Sequence, residues 1–287
     1  MHVYSADTPR TRQPHLVTQP QSASFATLLA CAHELADASG RAIRPHFRSR
    51  LKVEDKGGAA GFDPVTVADK AAERAIAGRL GATFPGHGIT GEEFGCANND
   101  SRYRWIIDPI DGTRAFICGL PTWGTLIGLM DNGVPHLGLM DQPITGERFW
   151  SGPSASYMRD ATGKTLRLKT RACSRLDDAV LSSTHPDLFA KGRQPRILEA
   201  VKSRVRLTRY GGDCYAYCML AAGFIDIVLE PDLKVYDIAA LIPIIERAGG
   251  RVTTWDGGAA AEGGDVLACG DPALHRHLLD LIGRGGR

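Results

Sequence analysis

The stretch Trp105–Thr113, Trp-Ile-Ile-Asp-Pro-Ile-Asp-Gly-Thr, constrains this chain more than any other. Its apolar start, Trp105-Ile106-Ile107, reads as a buried strand that ends abruptly in Asp108-Pro109-Ile110-Asp111-Gly112-Thr113. Two carboxylates three residues apart at a strand end repel each other unless a cation lies between them. A turn needs one Asp to bond its own backbone, not two that converge. Pro109 fixes the turn and withdraws a backbone donor, which leaves oxygen ligands facing one side. Gly112 and Thr113 then present N–H groups where the next helix would begin, a seat for an anion such as phosphate. Hard cations and a phosphate in one small space suggest metal-assisted hydrolysis of a phosphate ester.

At 287 residues the chain can bury a substantial core as one large domain or two modest ones. A formal charge of +2 implies no general affinity for nucleic acid or an acidic membrane, and the basic cluster Arg193–Arg209 reads as solvated surface. No apolar run approaches the roughly 18–20 residues that span a bilayer. Seven cysteines at irregular spacing fit neither a disulfide framework nor a zinc site, and Cys214 and Cys218 read as packing residues on a helix. Reduced thiols imply a cytoplasmic setting. Residues 1–21 lack the apolar core of a secretory signal and read as a flexible tail, with an organelle transit peptide as the alternative.

Ser22 or Ser24 can cap a first helix whose apolar residues, Phe25 to Ala36, recur at helical spacing, with Gly40 and Pro45 interrupting its continuation. A Gly-rich loop over Glu54–Asp63 precedes Pro64-Val65-Thr66 and a second helix with Ala68, Ala71, Ala72, Ala75, Ile76 and Leu80 on one face. Gly86–Gly95 reads as a turn. Gly124–Met130 and Val134–Asp141 form a hairpin turned at Asp131-Asn132-Gly133, and β character continues over Phe149–Arg159 and Thr165–Leu168. Beyond lies alternation: strands at Ala179–Ser183, Val205–Arg209, Ile225–Glu230, Arg251–Thr254 and Val266–Cys269. Helices are expected at Pro195–Val201, Cys214–Ala222 and Ile238–Ala248, and a last one capped by Asp271-Pro272. This order predicts an α+β subdomain over 22–150, carrying most of the metal ligands, joined to an α/β subdomain over 151–287.

Each further acid has a plain reading beside the chemical one. Glu92-Glu93 can be a solvated turn. Asp69, three residues after Thr66, fits a capping box, and Asp237 fits a simple N-cap for the helix that follows. Yet Asp69, Glu92, Asp108, Asp111 and Asp237 all stand at element boundaries, where side chains can point into a shared cleft. Magnesium, which wants near-octahedral oxygen ligands, draws its carboxylates from several chain segments in this way.

Four motifs in one order, Asp63-Pro64-Val65-Thr66-Val67-Ala68-Asp69, Gly91-Glu92-Glu93, Trp105–Thr113 and Tyr236-Asp237-Ile238-Ala239-Ala240, resemble the inositol monophosphatase family over residues 22–283. The resemblance implies a layered αβαβα sandwich of the inositol monophosphatase and fructose bisphosphatase type. It implies a magnesium-dependent, lithium-sensitive phosphatase holding two or three Mg²⁺, with Mn²⁺ as a substitute, and a homodimer. Carried over residue by residue, Glu92, Asp108, the Ile110 carbonyl and Asp111 would hold the first metal, with Asp108, Asp111 and Asp237 shared among the ions. Asp69 and Thr113 would position and deprotonate the attacking water, and the Gly112 and Thr113 amides would take phosphate oxygens. Glu93 would stand just behind the ligands. Lys56 lies on the loop where the family often has a Lys near the metals, an exposed loop Lys being the plain alternative.

Within the family, Thr113–Thr125, Gly211-Gly212-Asp213-Cys214-Tyr215-Ala216-Tyr217 and Leu233–Asp237 resemble the histidinol-phosphate phosphatase branch. Phe94, where a Ser commonly follows the paired glutamates, and Tyr236, where Trp commonly precedes the Asp, both depart from the broader pattern. The substrate expected is a small phosphate ester, L-histidinol phosphate, with Asp213 and Glu230 as partners for a cationic leaving group. Asp213 has an N-cap as its plain alternative. Inositol monophosphate and a 3′-phosphonucleotide are the other enzymatic readings, and a silent regulatory relative is the non-enzymatic one. The retained acid set argues against that last reading.

Overall fold

A computed structural model describes residues 23–50, 53–55, 57 and 64–285. Ser24 caps α1 (Phe25–Ile43), its hydroxyl accepting the Thr27 amide at 3.1 Å. The helix runs straight through Gly40, where a Cβ would stand 3.0 Å from Pro143 Cβ. Gly40 is therefore a close-packing residue and not a breaker. Two short strands, β1 (Glu54–Asp55) and β2 (Pro64–Val65), pair antiparallel ahead of α2 (Val67–Thr83).

The turn expected over Gly86–Gly95 contains a strand, β3 (Gly88–Gly91), followed by β4 (Gly95–Ala97). What makes β3 a strand is its parallel partner β5 (Tyr103–Asp111), distant enough in sequence that a local reading misses it. After the short α3 (Thr113–Ile117) comes the expected hairpin of β6 (Gly124–Asp131) and β7 (Val134–Gln142). Its corner residues Asn132 and Gly133 have φ of 50° and 79°, the positive values that a type I′ turn requires. Strands β8 (Glu147–Ser151), β9 (Ser156–Arg159) and β10 (Thr165–Arg167) complete an eight-stranded sheet ordered β10-β9-β8-β7-β6-β5-β3-β4. The first sheet thus extends past residue 150 to Arg167, because the antiparallel meander keeps adding strands at one edge.

The second half alternates as expected: β11 (Val180–Ser183), α4 (Gln194–Lys202), β12 (Leu207–Tyr210), α5 (Asp213–Ala221) and β13 (Ile227–Leu233). Then come α6 (Val235–Ile238), α7 (Leu241–Ala248), β14 (Arg251–Thr254), β15 (Gly264–Cys269) and α8 (Pro272–Gly285). Their five-stranded sheet has the order β12-β11-β13-β15-β14. The one helix expected over Ile238–Ala248 is two pieces, broken at Ala239-Ala240.

Side-chain alternation along the strands assigns the layers. Ile127 and Leu129 of β6 join Leu28, Leu35 and Ile76 of α1 and α2, whereas Leu126 faces the other way, toward α5 and α7. In the second sheet, Val228, Val266 and Ala268 face α5 and α7, while Ile227, Leu229 and Leu267 pack on α4 and α8. The result is a five-layer αβαβα sandwich, with α5 and α7 shared between the sheets. No helix among the described residues is long and apolar enough to cross a membrane.

Candidate active site

In a regular strand Asp108 and Asp111, three residues apart, would face opposite sides of the sheet. A β-bulge prevents this. Asp108 pairs with Leu126 and Asp111 with Gly124, so three steps on β5 match two on β6. The extra residue reverses the phase and turns both carboxylates to one side. Pro109 suits the irregular stretch because it has no N–H for a ladder, and its carbonyl accepts the Thr125 hydroxyl at 2.8 Å. Asp108 Oδ1 accepts the Ile110 amide at 3.0 Å, and the Thr113 hydroxyl donates to the Ile110 carbonyl at 3.0 Å. Gly112 turns the chain into α3 with φ of 86°, and a Cβ there would stand 3.0 Å from Asp213.

The third acid arrives from the far half of the chain. One carboxylate oxygen each from Asp108, Asp111 and Asp237 lie within 4.8 Å of one another. Asp237 is not a simple N-cap, the plain alternative to a ligand role. It sits inside α6, three residues after Lys234, and its Oδ2 accepts the Lys234 amide at 2.6 Å. Burial, then the charges of Glu92, Asp111 and Asp237, push the Asp108 carboxyl well above its ordinary range. Burial, Asp237 and Asp213 do the same for Asp111. Three hard oxygen donors that destabilise one another's charge suit a divalent cation, whose charge would relieve the repulsion. Glu92 borders the same cleft, following a β3 strand held parallel to β5.

Asp69 fills the capping role that the sequence offered for it, and only one of its oxygens is used in doing so. The capping box is present: Asp69 Oδ2 accepts the Thr66 amide at 2.9 Å and the Thr66 hydroxyl at 2.6 Å. Its Oδ1 is buried with no hydrogen-bond partner among the described residues. Burial holds the carboxyl up at about 6, against the Thr66 bonds. Glu93 does not line the cleft, and its amide donates to Glu73 at 2.8 Å. Lys56 falls outside the described residues.

Of the two acids expected to meet a leaving group, Asp213 is the more available. The N-cap position of α5 belongs to Gly212, so Asp213 is not the cap, and it holds a left-handed φ of 42° that costs a non-glycine residue strain. Burial raises its carboxyl to about 6, with Arg114 opposing. Glu230 reaches the cleft wall, but its carboxylate already accepts the Thr184 amide at 2.6 Å and the Thr184 hydroxyl at 3.0 Å. Burial pushes it up to about 8.

The acid cleft, about 220 Å³, opens past Arg114, Thr184, Leu188 and Asp213 into a hollow of about 460 Å³ that includes His185 and Asp187. Sequence reasoning left Arg114, Thr184 and His185 without a role, since residues of unrelated segments meet there. It also missed Glu73, although an acid one helical turn after Asp69 on an otherwise apolar face was a visible signal.

The family model for the inositol monophosphatase family matches residues 25–284. The chain belongs to that family. Among curated relatives it is 42% identical to the chloroplastic bifunctional phosphatase IMPL2 of Arabidopsis thaliana, over 88% of this chain and 74% of the relative. It is 35% identical to the histidinol-phosphatase of Mycobacterium tuberculosis, over 90% of this chain and 98% of that one. A solved inositol monophosphatase from Zymomonas mobilis superposes with a TM-score of 0.79 at 37% identity, covering 91% of this chain and 99% of its own. As a member of the inositol monophosphatase family the chain is a phosphatase, in a family that is generally metal-dependent.

Proposed function

We propose that this phosphatase is a histidinol-phosphatase, converting L-histidinol phosphate and water to L-histidinol and phosphate. In this reading Glu92, Asp108, the Ile110 carbonyl, Asp111 and Asp237 hold two or three Mg²⁺. Bound there, the ions would lower the pKa of water and neutralise charge on the phosphoryl group and the leaving oxygen. The chain supplies the rest. Asp69 Oδ1, buried and with no hydrogen-bond partner among the described residues, takes a proton from the water as its oxygen attacks phosphorus. The Thr113 hydroxyl, whose own proton is given to Ile110, accepts from that water and orients it. Gly112 and Thr113 amides hold phosphate oxygens. The ester P–O bond breaks with its electron pair on the histidinol oxygen, which takes a proton from solvent, and Asp69 returns the proton it accepted to solvent.

The observation that carries the substrate is Asp213, a strained, half-buried carboxylate where the acid cleft meets the larger hollow. An ammonium beside the reacting phosphate would meet it there, while the hollow has room for an imidazole. A neutral polyol could only donate hydroxyl hydrogen bonds to that acid and would gain no charge attraction from it. Histidinol-phosphatases at 33–38% identity support this reading, and an inositol-1-monophosphatase of Caulobacter vibrioides at 32% keeps inositol monophosphate as the competitor. The test is kcat/KM for both esters with Mg²⁺, repeated in Asp213→Asn. KM for histidinol phosphate should rise at least ~10-fold, as expected when an ion pair to bound substrate is lost. KM for a generic aryl phosphate should hardly move. Equal losses on both esters would sink the assignment of Asp213. The same reading makes the protein a cytoplasmic homodimer, which sedimentation equilibrium checks for the dimer.

A further inference from the structure

Gly91 precedes the glutamate pair, and its backbone does not need to be glycine. Its φ is absent from the positive values that favour that residue. What it needs is space. A Cβ on Gly91 would stand 1.9 Å from Oε1 of Glu73 and 2.4 Å from Glu73 Cδ, and its three nearest neighbours all belong to that carboxylate. Glu73 in turn is 2% exposed, on the buried face of α2 that it shares with Ala68, Asp69, Ala72, Ile76 and Leu80. A buried acid there costs free energy unless it is bonded. Its partners are two consecutive amides of the turn: Glu93 N–H donates to Oε2 at 2.8 Å and Phe94 N–H to Oε1 at 3.0 Å. On the near side, the Glu92 amide donates to the Ile107 carbonyl of β5 at 3.2 Å.

We propose that Glu73 is a positioning residue for the metal cleft: its carboxylate clamps the turn after Gly91 and so fixes where Glu92 points. The inference rests on Glu92 being a metal ligand, and it adds a reason for the glycine. Glu92 lies between two anchors, β5 before it and α2 after it. Asp69 stands one turn before Glu73 on the same helix, about 6 Å along its axis. The clamp therefore also sets Glu92 relative to the acid assigned to the attacking water. Loss of Glu73 takes the acceptor away from the Glu93 and Phe94 amides in this part-buried turn and frees the turn to move as a unit.

The test titrates Mn²⁺ into the full chain without substrate, reading free ion by electron paramagnetic resonance, with circular dichroism to confirm folding. Glu73→Ala should weaken Mn²⁺ binding about 10-fold, the effect typical of residues that orient a ligand from behind. Glu73→Gln, which keeps one acceptor oxygen, should lose less, and keeps the test open if the Ala variant does not fold. In steady-state assays the Mg²⁺ needed for half-maximal rate should rise while kcat at saturating Mg²⁺ recovers. Gly91→Ala should weaken Mn²⁺ binding in the parent protein and cost nothing further in the Glu73→Ala background, where the obstacle is gone. Equal losses from Gly91→Ala in both backgrounds would overturn the proposal. So would Mn²⁺ binding unchanged by Glu73→Ala when Glu92→Gln weakens it. Binding unchanged by Glu92→Gln would instead overturn the ligand reading beneath it.

Discussion

The Cys214 amide donates to Asp111 Oδ2 at 2.7 Å, joining two residues 103 positions apart in the chain. This bond ties the first turn of α5, in the middle layer, to the end of β5. It also fixes the carboxylate of an acid that belongs to the cluster with Asp108 and Asp237. Asp237 is held in the same way, with Oδ2 on the Lys234 amide. Asp69 repeats it against Thr66. Asp69, Asp108, Asp111 and Asp237 each have one oxygen held by a bond within the chain.

That organisation separates activity from stability. Asp237→Asn keeps an oxygen for Lys234 and removes one of three charges crowded within 4.8 Å. With no metal added, the variant should be as stable as the parent or more so, because like-charge repulsion falls. Its kcat/KM should drop by roughly 100-fold or more, as for loss of a group acting in the transition state. Thermal melts in EDTA together with steady-state rates in Mg²⁺ check both halves. A large fall in the EDTA melting point would show that Asp237 holds the fold instead.

The Asp-Pro-Ile-Asp-Gly-Thr stretch was legible because its meaning is local: two acids, a missing donor and a turn in one run of residues. The bulge that brings the acids to one side depends on Gly124 and Leu126 of a partner strand, yet the motif implied its consequence. Other features have distant causes. The helix expected over Ile238–Ala248 breaks at Ala239-Ala240 because that corner rests on two glycines of the hairpin. A Cβ at Gly138 would stand 1.8 Å from the Ala240 carbonyl oxygen, and one at Gly128 3.1 Å from the Ala240 amide nitrogen. No pattern within 238–248 contains that information. Likewise the partners of Glu73, the Glu93 and Phe94 amides, lie 20 and 21 residues away in a turn that no pattern within α2 points to.

Those hairpin glycines can be tested directly. Gly138→Ala should destabilise the protein by about 1–3 kcal/mol, toward the upper end because the obstacle is backbone and cannot rotate away. The displaced corner follows α6, so Asp237 should shift with it and Mg²⁺ should be needed at higher concentration. Urea unfolding and the Mg²⁺ dependence of the rate are the measurements. Gly133→Ala meets no atom within 4 Å, and its cost should come only from its φ of 79°. Metal dependence in that variant should be unchanged.

Acid should destabilise the fold through a residue far from the cleft. His275 is 3% exposed and its Nε2 lies 2.9 Å from Thr253 Oγ1. Burial, with Arg251 and Arg276 nearby, lowers its pKa to about 4. The folded state thus binds fewer protons than the unfolded chain between about pH 4 and the ordinary value near 6.5. Its contribution is complete above the unfolded value and is lost as pH falls through that window. One such histidine should remove about 1–2 kcal/mol between pH 7 and pH 5. His275→Gln, which keeps a polar atom for Thr253 without titrating, should flatten the slope of unfolding free energy against pH over that range. An unchanged slope would assign the acid sensitivity elsewhere.

Thiol chemistry offers a reading of the hollow itself. Cys31, Cys173, Cys214, Cys218 and Cys269 are buried, and burial is the leading cause that raises each thiol above its ordinary pKa. Cys96 and Cys118 are exposed. The thiolate is the reactive form, so a disulfide reagent such as Ellman's should modify two thiols quickly and the other five only on unfolding. The two exposed thiols then report on different places. Cys118 lines the hollow beside Arg114 and Asp213, whereas Cys96 lies on β4 at the edge of the first sheet. Histidinol with phosphate and a divalent ion should slow labelling of Cys118 and leave Cys96 unaffected, as peptide mapping after a timed pulse would resolve. Inositol at the same concentration should protect Cys118 less, because it offers no cation to Asp213. Equal protection by the two alcohols would mean that the hollow accepts either leaving group, and that Asp213 does not choose between them.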